Sequence, residues 1–210
     1  MRWTFGVEPL PQVETAAALM RRITDLMLAL EHEQPEVDGL VEELRRAEAA
    51  LLRRVPPDPT PRVGAAISGD GRAYIDHARD VGAYNSCFPE YEIEVDGRRA
   101  SGSVRFPIAY EGPPGIVHGG FVAVLFDCAV QHHNCDVGVA GKTTSLALRY
   151  RRPVPLLTAL SFEIDRSVAD DRILSTGRLL HDGRLLCEVD AEAVAADRAT
   201  LPPVSPRRGA

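Results

Sequence analysis

Apolar residues recur at helical spacing in the first quarter of the chain. Between 12 and 34 they fall three or four residues apart, which predicts an amphipathic helix. The pattern breaks at Pro35, a residue typical of the first turn of a new helix, and a second apolar stripe covers 37–51. We therefore predict an N-terminal helical hairpin over residues 1–55. Its stripes need a cover, either a coiled-coil partner or, as we favour, the chain's own main domain or a second copy.

Strand-like alternation dominates the rest of the chain. Two short runs, 91–95 and 100–106, flank an Asp-Gly hairpin turn. A long apolar segment at 117–134 follows, with the composition of a buried helix. Four more strands are then expected at 143–151, 158–168, 172–181 and 184–195. One segregated helix among strands on short connections predicts an antiparallel sheet packed on that helix, which is an α+β arrangement.

Proline content marks the domain boundaries. Residues 56–64 contain four prolines and cannot form a helix interior or a central strand, so we expect a linker there. The main domain is then predicted over 65–198. The proline- and arginine-containing segment 199–210 is expected to be a flexible tail.

Charge and cysteine content exclude several classes of protein. The net charge of -6 argues against a nucleic-acid surface, which needs a dominant basic stripe. No apolar run reaches the length of a membrane span, and the first residues do not resemble a secretory signal. The 4 cysteines lie far apart, which fits free thiols in a reducing compartment. We expect a cytoplasmic protein that binds neither nucleic acid nor membrane.

One acidic residue interrupts the long apolar segment. The run 121–130 is apolar on every side except at Asp127. An ionised carboxylate in a buried helix is costly unless it finds partners or its pKa rises. We therefore interpret Asp127 as a functional group. The alternative is an aspartate that bonds a neighbouring loop.

Glycines mark the start of the same helix. His118 is followed by Gly119 and Gly120, which let a ligand approach the backbone closely. The first amides of a helix are unpaired donors at its positive end, where they can stabilise the oxyanion of an acyl transfer. Asp127 falls on a similar side of the helix as Gly120, about 10 Å along the axis. Either Asp127 works beside the glycine turn of a second protomer, or the substrate carbonyl is held between the two.

These motifs carry a resemblance to a known family. The run from Gly115 to Asp127 resembles the hotdog thioesterases of the phenylacetate-degradation (PaaI-like) type, and the similarity continues from Thr143 to Leu156. It covers roughly 85–196 and leaves out the N-terminal hairpin. The resemblance implies a hotdog fold, in which an antiparallel sheet wraps around one long helix. It also implies a homodimer or a dimer of dimers that hydrolyses acyl-CoA at its interfaces.

The resemblance implies a role for each motif residue. Asp127 is the general base or nucleophile, the Gly119 amide polarises the thioester carbonyl, and His118 lines the same corner. Thr143, supplied across the dimer, orients the water. No metal or redox cofactor is needed, and coenzyme A enters only as part of the substrate. The expected substrate-binding residues are Gly120, Asn85, Thr144, Ser145, Arg149, Arg151 and Arg152.

Two features qualify this assignment. Many members of the family carry an asparagine six residues before the histidine, where this chain has Gly112. Its role must be absent here, or borne by His118 or Asn85. The arginines at 149, 151 and 152 suit the phosphates of coenzyme A. They also fit a solvated patch that balances the acidic surface.

Other chemistries are less well supported. Cys128, His132 and Cys135 share a helical face, but the two cysteines lie about 10 Å apart, too far for one zinc ion. Catalysis by Cys128 with His118 is disfavoured because burial raises the pKa of a thiol. Two functional alternatives stay open. They are a thioesterase acting on carrier-protein-bound acyl groups and a non-catalytic acyl-CoA-binding dimer.

Overall fold

The computed structural model describes residues 11–55, 81–137, 141–170 and 172–195. The predicted linker at 56–64 and the predicted tail at 199–210 lie outside these ranges, so the domain boundaries stay predictions. Within the described ranges, no helix is both long enough and apolar enough to cross a membrane.

The N-terminal hairpin consists of helix α1 (Pro11–Leu28) and helix α2 (Pro35–Leu52). Helix α1 ends earlier than the apolar pattern suggested. Gln34 has an extended backbone (φ -132°, ψ 133°), as expected for a residue that precedes a proline, and Pro35 opens α2.

Polar groups attach α1 to the main domain. An Arg21 guanidinium nitrogen donates to the Asn85 carbonyl (3.1 Å), and the Ala109 amide donates to Asp25 Oδ1 (2.9 Å). The apolar stripes are not the attachment: Leu26 is 68% exposed, and no residue of α2 is buried. Within the described chain, the main domain therefore does not cover these stripes. A cover by a second copy or another coiled-coil partner stays a prediction.

The main domain is a six-stranded antiparallel sheet with one long helix. Its strands are β1 (Tyr91–Asp96), β2 (Arg99–Arg105), β3 (Gly141–Tyr150), β4 (Ala159–Ala169), β5 (Arg172–His181) and β6 (Arg184–Ala195). They are ordered β1-β2-β4-β5-β6-β3. Helix α4 (Gly119–Val137) lies between β2 and β3 in the chain, after a short helix α3 (Val81–Tyr84) and a 3-10 helix (Ile108–Tyr110). The predicted α+β class and its strands are confirmed.

Turn chemistry explains the strand register. Asp182 and Gly183 both have positive φ (48° and 73°), the geometry of a tight hairpin that matches the twist of its strands. Gly97 likewise has φ 54° between β1 and β2. These Asp-Gly pairs are where the sequence placed the hairpins.

Helix α4 is buried mainly on its sheet-facing side. Phe126 and Leu125 are fully buried, and the Phe126 ring meets Phe162 of β4 with centroids 6.3 Å apart. Gly177 of β5 makes room for that ring, since a Cβ there would lie 2.7 Å from it. The opposite face is partly exposed because a single sheet covers only one side of a helix. The expectation of a helix buried all round is therefore wrong for the single chain.

Candidate active site

A loop anchored on both sides sets the start of α4. The His118 amide donates to the Tyr110 carbonyl (2.9 Å), and the Val117 amide donates to the Val154 carbonyl (2.9 Å). Gly112 packs against this turn, and a Cβ on Gly112 would lie 2.9 Å from the His118 Cα. The glycine that stands where many PaaI-like enzymes have asparagine thus occupies a position with no room for a side chain.

His118 caps the helix. Its Nδ1 accepts a 3.0 Å hydrogen bond from the Gly120 amide, the usual role of a side chain at the N-cap. Because Nδ1 accepts, the neutral ring carries its proton on Nε2. The Gly120 amide is therefore occupied, and its predicted role as a free donor to substrate is corrected.

The Gly119 amide is the available donor at this end of the helix. It is the first amide of α4, and no acceptor within the described residues takes it. The Gly119 carbonyl accepts a 2.7 Å hydrogen bond from the Tyr150 hydroxyl. Burial raises the pKa of Tyr150, so the phenol keeps its proton and can donate. Tyr150 was missed by sequence reasoning because it lies among arginines that drew attention as a basic patch.

Asp127 lies on the partly exposed face of α4 and is half-buried. Its Oδ1 accepts a 2.8 Å hydrogen bond from the Thr143 hydroxyl. Thr143 is in turn held by the side-chain amide of Gln131, at 2.8 Å. All three residues belong to one chain, because β3 follows α4 and runs back beside it. Within the single chain Thr143 therefore contacts the Asp127 of its own protomer, and its expected role in orienting water across a dimer stays a prediction.

The two parts of the candidate site lie apart along the helix. Gly119 and Asp127 are separated by eight residues, which is about 12 Å along the axis at 1.5 Å per residue. One chain thus has the Asp127 carboxylate, hydrogen-bonded to the Thr143 hydroxyl, near the middle of α4. The free Gly119 amide is at the start of the same helix. Within one chain, the Asp127 carboxylate and the Gly119 amide therefore lie too far apart along the helix to contact the same carbonyl group directly.

The next two residues along β3, Thr144 and Ser145, make no hydrogen bond to Asp127 within the described residues. The Thr144 hydroxyl donates to the Glu192 carbonyl of β6 (3.1 Å). The ladder between β3 and β6 shifts register between Thr143 and Ser145, so Thr144 lies at an irregularity. Ser145 is exposed. Their substrate contacts stay predictions, and the structure brings only Thr143 of this trio to Asp127.

Asn85 is oriented toward its own loop and α1. Its side-chain oxygen accepts from the Cys87 amide (3.1 Å), and its carbonyl accepts from Arg21. These contacts do not reach His118 or Asp127. The structure therefore gives no support for Asn85 as the substitute for the missing asparagine.

The three arginines of β3 and its end are engaged with β6. Arg149 pairs with Asp190 and Arg151 with Glu188, each at 2.6 Å, while Arg152 donates to the Leu185 carbonyl (2.6 Å). These are surface ion pairs, which contribute little stability. They agree with the alternative in which the arginines balance surface carboxylates.

A cavity nevertheless connects two of these arginines to the glycine turn. It has a volume of about 430 Å³, and its lining includes Gly119, Tyr150, Ile116, Arg151 and Arg152. Gly119, Arg151 and Arg152 thus line the same space. This arrangement can hold an anionic ligand beside the start of α4.

The alternative chemistries find no support in the geometry. Cys128 is buried, and desolvation together with the charge of Asp127 raises its pKa to about 12, which keeps the thiol protonated. His132 contacts Tyr91 and Asp136. No group of three potential metal ligands occurs within the described part of the chain.

Comparison with known proteins agrees with this architecture. No protein-family profile matches the chain. The structure is similar to a crystal structure of a thioesterase superfamily protein, with 27% identity, a TM-score of 0.72 and coverage of 92% of this chain and 94% of the other. The fold is the hotdog fold of the thioesterase superfamily. Since the hairpin is 55 of 210 residues, a match over 92% of the chain includes most of it.

Two further structures match about half of this chain. One is a Streptococcus mutans UA159 protein bound to acetyl-CoA, with 11% identity, a TM-score of 0.50 and coverage of 52% of this chain and 90% of its own. The other is a Ralstonia eutropha JMP134 protein related to phenylacetic acid degradation, with 19% identity, a TM-score of 0.43 and coverage of 50% and 84%. At 11% identity, the similarity to the Streptococcus mutans protein describes the fold alone.

Proposed function

We propose that the protein hydrolyses an acyl-CoA or aryl-CoA thioester to the free acid and coenzyme A. The observation that carries the proposal is the hydrogen bond between Thr143 and Asp127 of α4, the helix whose first amide, that of Gly119, has no acceptor within the described residues. A hotdog domain similar to a thioesterase superfamily protein supports the reaction class.

The proposed chemistry assigns one step to each group. Asp127 removes a proton from water, or attacks the carbonyl carbon itself, while the Thr143 hydroxyl keeps the carboxylate and the water in place. The Gly119 amide donates to the carbonyl oxygen as it gains negative charge. When the tetrahedral intermediate collapses, the C–S bond breaks. In the general-base route, the proton removed from water then passes to the sulfur of coenzyme A. If Asp127 attacks instead, breaking the C–S bond leaves an acyl-aspartyl anhydride and the thiolate of coenzyme A. Water then hydrolyses the anhydride, which gives the free acid and restores Asp127, and the proton released goes to the thiolate.

A homodimer can bring the carboxylate and the amide donor together. Strand β3 is last in the order of the sheet and, among the described strands, pairs with β6 alone, so we propose that a second copy meets its other edge. The partly exposed face of α4 lies beside that edge. Two copies that meet there in opposite directions would place Asp127 of one protomer near Gly119 of the other. A dimer or a dimer of dimers is therefore part of the proposal.

The cavity beside Gly119 is the proposed position of the coenzyme A portion. Arg151 and Arg152 border it, and a guanidinium can bind phosphate oxygens through two parallel hydrogen bonds. The Streptococcus mutans protein, which has a similar fold, is bound to acetyl-CoA, and this supports the proposal. We further propose a cytoplasmic location, as the separated cysteines predict.

The decisive experiment is thiol release from a panel of aliphatic and aromatic acyl-CoAs. The proposal expects turnover of at least one of them by the wild-type protein. Release only from acyl groups on a phosphopantetheine carrier protein would favour the first alternative. Binding of acyl-CoA without release would favour the non-catalytic dimer.

A further inference from the structure

A line of side-chain hydrogen bonds runs from the interior of the domain to Asp127. Arg166 Nε donates to Asn134 Oδ1 (2.7 Å), and Asn134 Nδ2 makes a longer contact of 3.5 Å with Gln131 Oε1. Gln131 Nε2 donates to Thr143 Oγ1 (2.8 Å), and the Thr143 hydroxyl donates to Asp127 Oδ1 (2.8 Å). The line joins β4, α4 and β3.

The groups at the two ends determine which atoms donate and which accept along the line. A guanidinium has donors and no acceptor, whereas a carboxylate has acceptors and no donor. Each amide between them must therefore turn its oxygen toward Arg166 and its nitrogen toward Asp127. With the Gln131 amide donating to Thr143 Oγ1, the single hydroxyl proton of Thr143 is left to point at Asp127.

The buried end of the line is unusual for a structural contact. Arg166 is 9% exposed and Asn134 is fully buried. Arg166 continues the inward-facing row of β4, where Leu160, Phe162 and Ile164 are all buried. A guanidinium in that row is costly to desolvate unless it is hydrogen-bonded or paired. The hydrogen bond to Asn134 offsets part of this cost and joins Arg166 to the line.

We propose that Arg166, Asn134 and Gln131 are positioning residues that hold the Thr143 hydroxyl in one orientation and thereby orient Asp127. This inference rests on the proposed thioester hydrolysis and adds three residues to its site. None of them touches the substrate in the proposal. They act through Thr143.

If these residues served only to stabilise the fold, different results would be expected. The stabilising effect would then depend on the packing of Arg166 and Asn134, which are buried. It would not depend on whether the half-buried side chain of Gln131 can donate a hydrogen bond. The decisive variants are therefore Gln131→Glu, which keeps the shape but loses the donor when ionised, and Gln131→Met, which keeps the length but loses both polar atoms.

The positioning role predicts a split between the kinetic constants. At pH 8, both variants should lower kcat by about tenfold or more, leave KM within about twofold and keep the melting temperature near that of the wild type. Gln12→Glu on the exposed start of α1 is the matched control and should behave as wild type. A kcat of Gln131→Glu within about twofold of wild type would overturn the inference.

The interior end has its own test. Arg166→Lys retains a cationic donor for Asn134 Oδ1, whereas Arg166→Met removes it. We expect Arg166→Lys to keep most of the wild-type kcat and Arg166→Met to lose about tenfold at unchanged KM. Equal kcat values for the two variants, with both folded, would contradict a role for the interior donor.

A turnover-independent measurement separates this inference from the proposed function. If the wild type released no thiol from any substrate, the proposed function would fail while the line of hydrogen bonds could still be examined. The side-chain amide resonances of Gln131 in nuclear magnetic resonance spectra should then shift in Thr143→Val and in Arg166→Met, but not in Thr176→Val on the exposed face of β5. Unchanged Gln131 resonances in all three variants would sink the positioning proposal.

Discussion

The Tyr150 hydroxyl donates a 2.7 Å hydrogen bond to the Gly119 carbonyl and so ties the end of β3 to the first turn of α4. The contact is close enough that a Cβ on Gly119 would lie 3.0 Å from the same hydroxyl oxygen. One residue of β3 thus fixes the peptide that follows the proposed oxyanion donor. Another, Thr143, fixes the proposed catalytic carboxylate. A single strand beside α4 positions both parts of the site.

Tyr150→Phe should lower kcat/KM with little loss of stability. The hydrogen bond that it removes contributes about 0.5–1.5 kcal/mol, which corresponds to roughly a two- to thirteenfold decrease if it is used in the transition state. The ring is 52% exposed, so its packing changes little. The measurement is steady-state thiol release, with Tyr91→Phe as the control. Identical kcat/KM for Tyr150→Phe and wild type would remove Tyr150 from the account.

His118→Ala should destabilise the protein through loss of the helix cap. Replacing an N-cap side chain by alanine costs about 0.5–2 kcal/mol, here because the Gly120 amide loses its acceptor. His118→Asn offers an oxygen in a similar place and should recover most of that loss. Urea denaturation of the three proteins checks this. Equal stability of His118→Ala and wild type would show that the cap contributes nothing.

Gly112→Ala should be damaging although it adds a single methyl group. That group would lie 2.9 Å from the His118 Cα, and relieving such overpacking typically costs about 1–3 kcal/mol. Gly39→Ala in α2 is the matched control, because nothing lies within 4 Å of its new Cβ and alanine favours a helix. We expect a lower free energy of unfolding for Gly112→Ala only. Equal effects of the two substitutions would contradict the tight contact.

The cysteines should differ in reactivity. Burial raises the pKa of Cys128 to about 12 and that of Cys187 to about 11, so neither forms appreciable thiolate at pH 8, whereas Cys87 is exposed. Brief treatment of the folded protein with iodoacetamide at pH 8 should alkylate Cys87 and spare Cys128 and Cys187. Mass spectrometry of tryptic peptides identifies the labelled positions. Rapid labelling of Cys128, or loss of activity in Cys128→Ala, would revive thiol catalysis.

The sheet could be predicted because its signals are local. The pairs Asp96-Gly97 and Asp182-Gly183 mark hairpin turns, in which Gly97, Asp182 and Gly183 have positive φ. The alternating burial along β4 and β5 follows from strand geometry. The start of α4 at the glycine turn was predictable for the same reason. Helix α3 was not predicted, since four residues carry no periodicity.

The contacts of the site could be predicted only in part. The residues themselves pointed to Asp127 and the glycine turn, and the family resemblance added Thr143. Neither could show that the Gly120 amide is taken by His118 or that Thr143 reaches its own chain's Asp127. Both depend on tertiary approach. The exposure of Asp127 was misjudged because an apolar composition does not reveal which side of a helix the sheet leaves open.

The partners of the arginines could not be predicted from the sequence either. Whether Arg149 and Arg151 are free for phosphate or paired with carboxylates depends on the register of β3 against β6. That register places Asp190 and Glu188 within reach, and no pattern along β3 alone contains this information.

The central claim concerns the carboxylate of Asp127, and the measurement that tests it most directly compares thiol release with ligand binding for the wild type and Asp127→Asn. The account predicts wild-type turnover of at least one acyl-CoA. In the variant, kcat should fall by about a hundredfold or more, the size expected for loss of a general base or nucleophile, while the affinity for coenzyme A stays within about threefold. Asp38→Asn in the exposed first turn of α2 is the control and should match the wild type. A wild type that binds acyl-CoA without releasing thiol, or an Asp127→Asn variant with the wild-type kcat, would contradict the account.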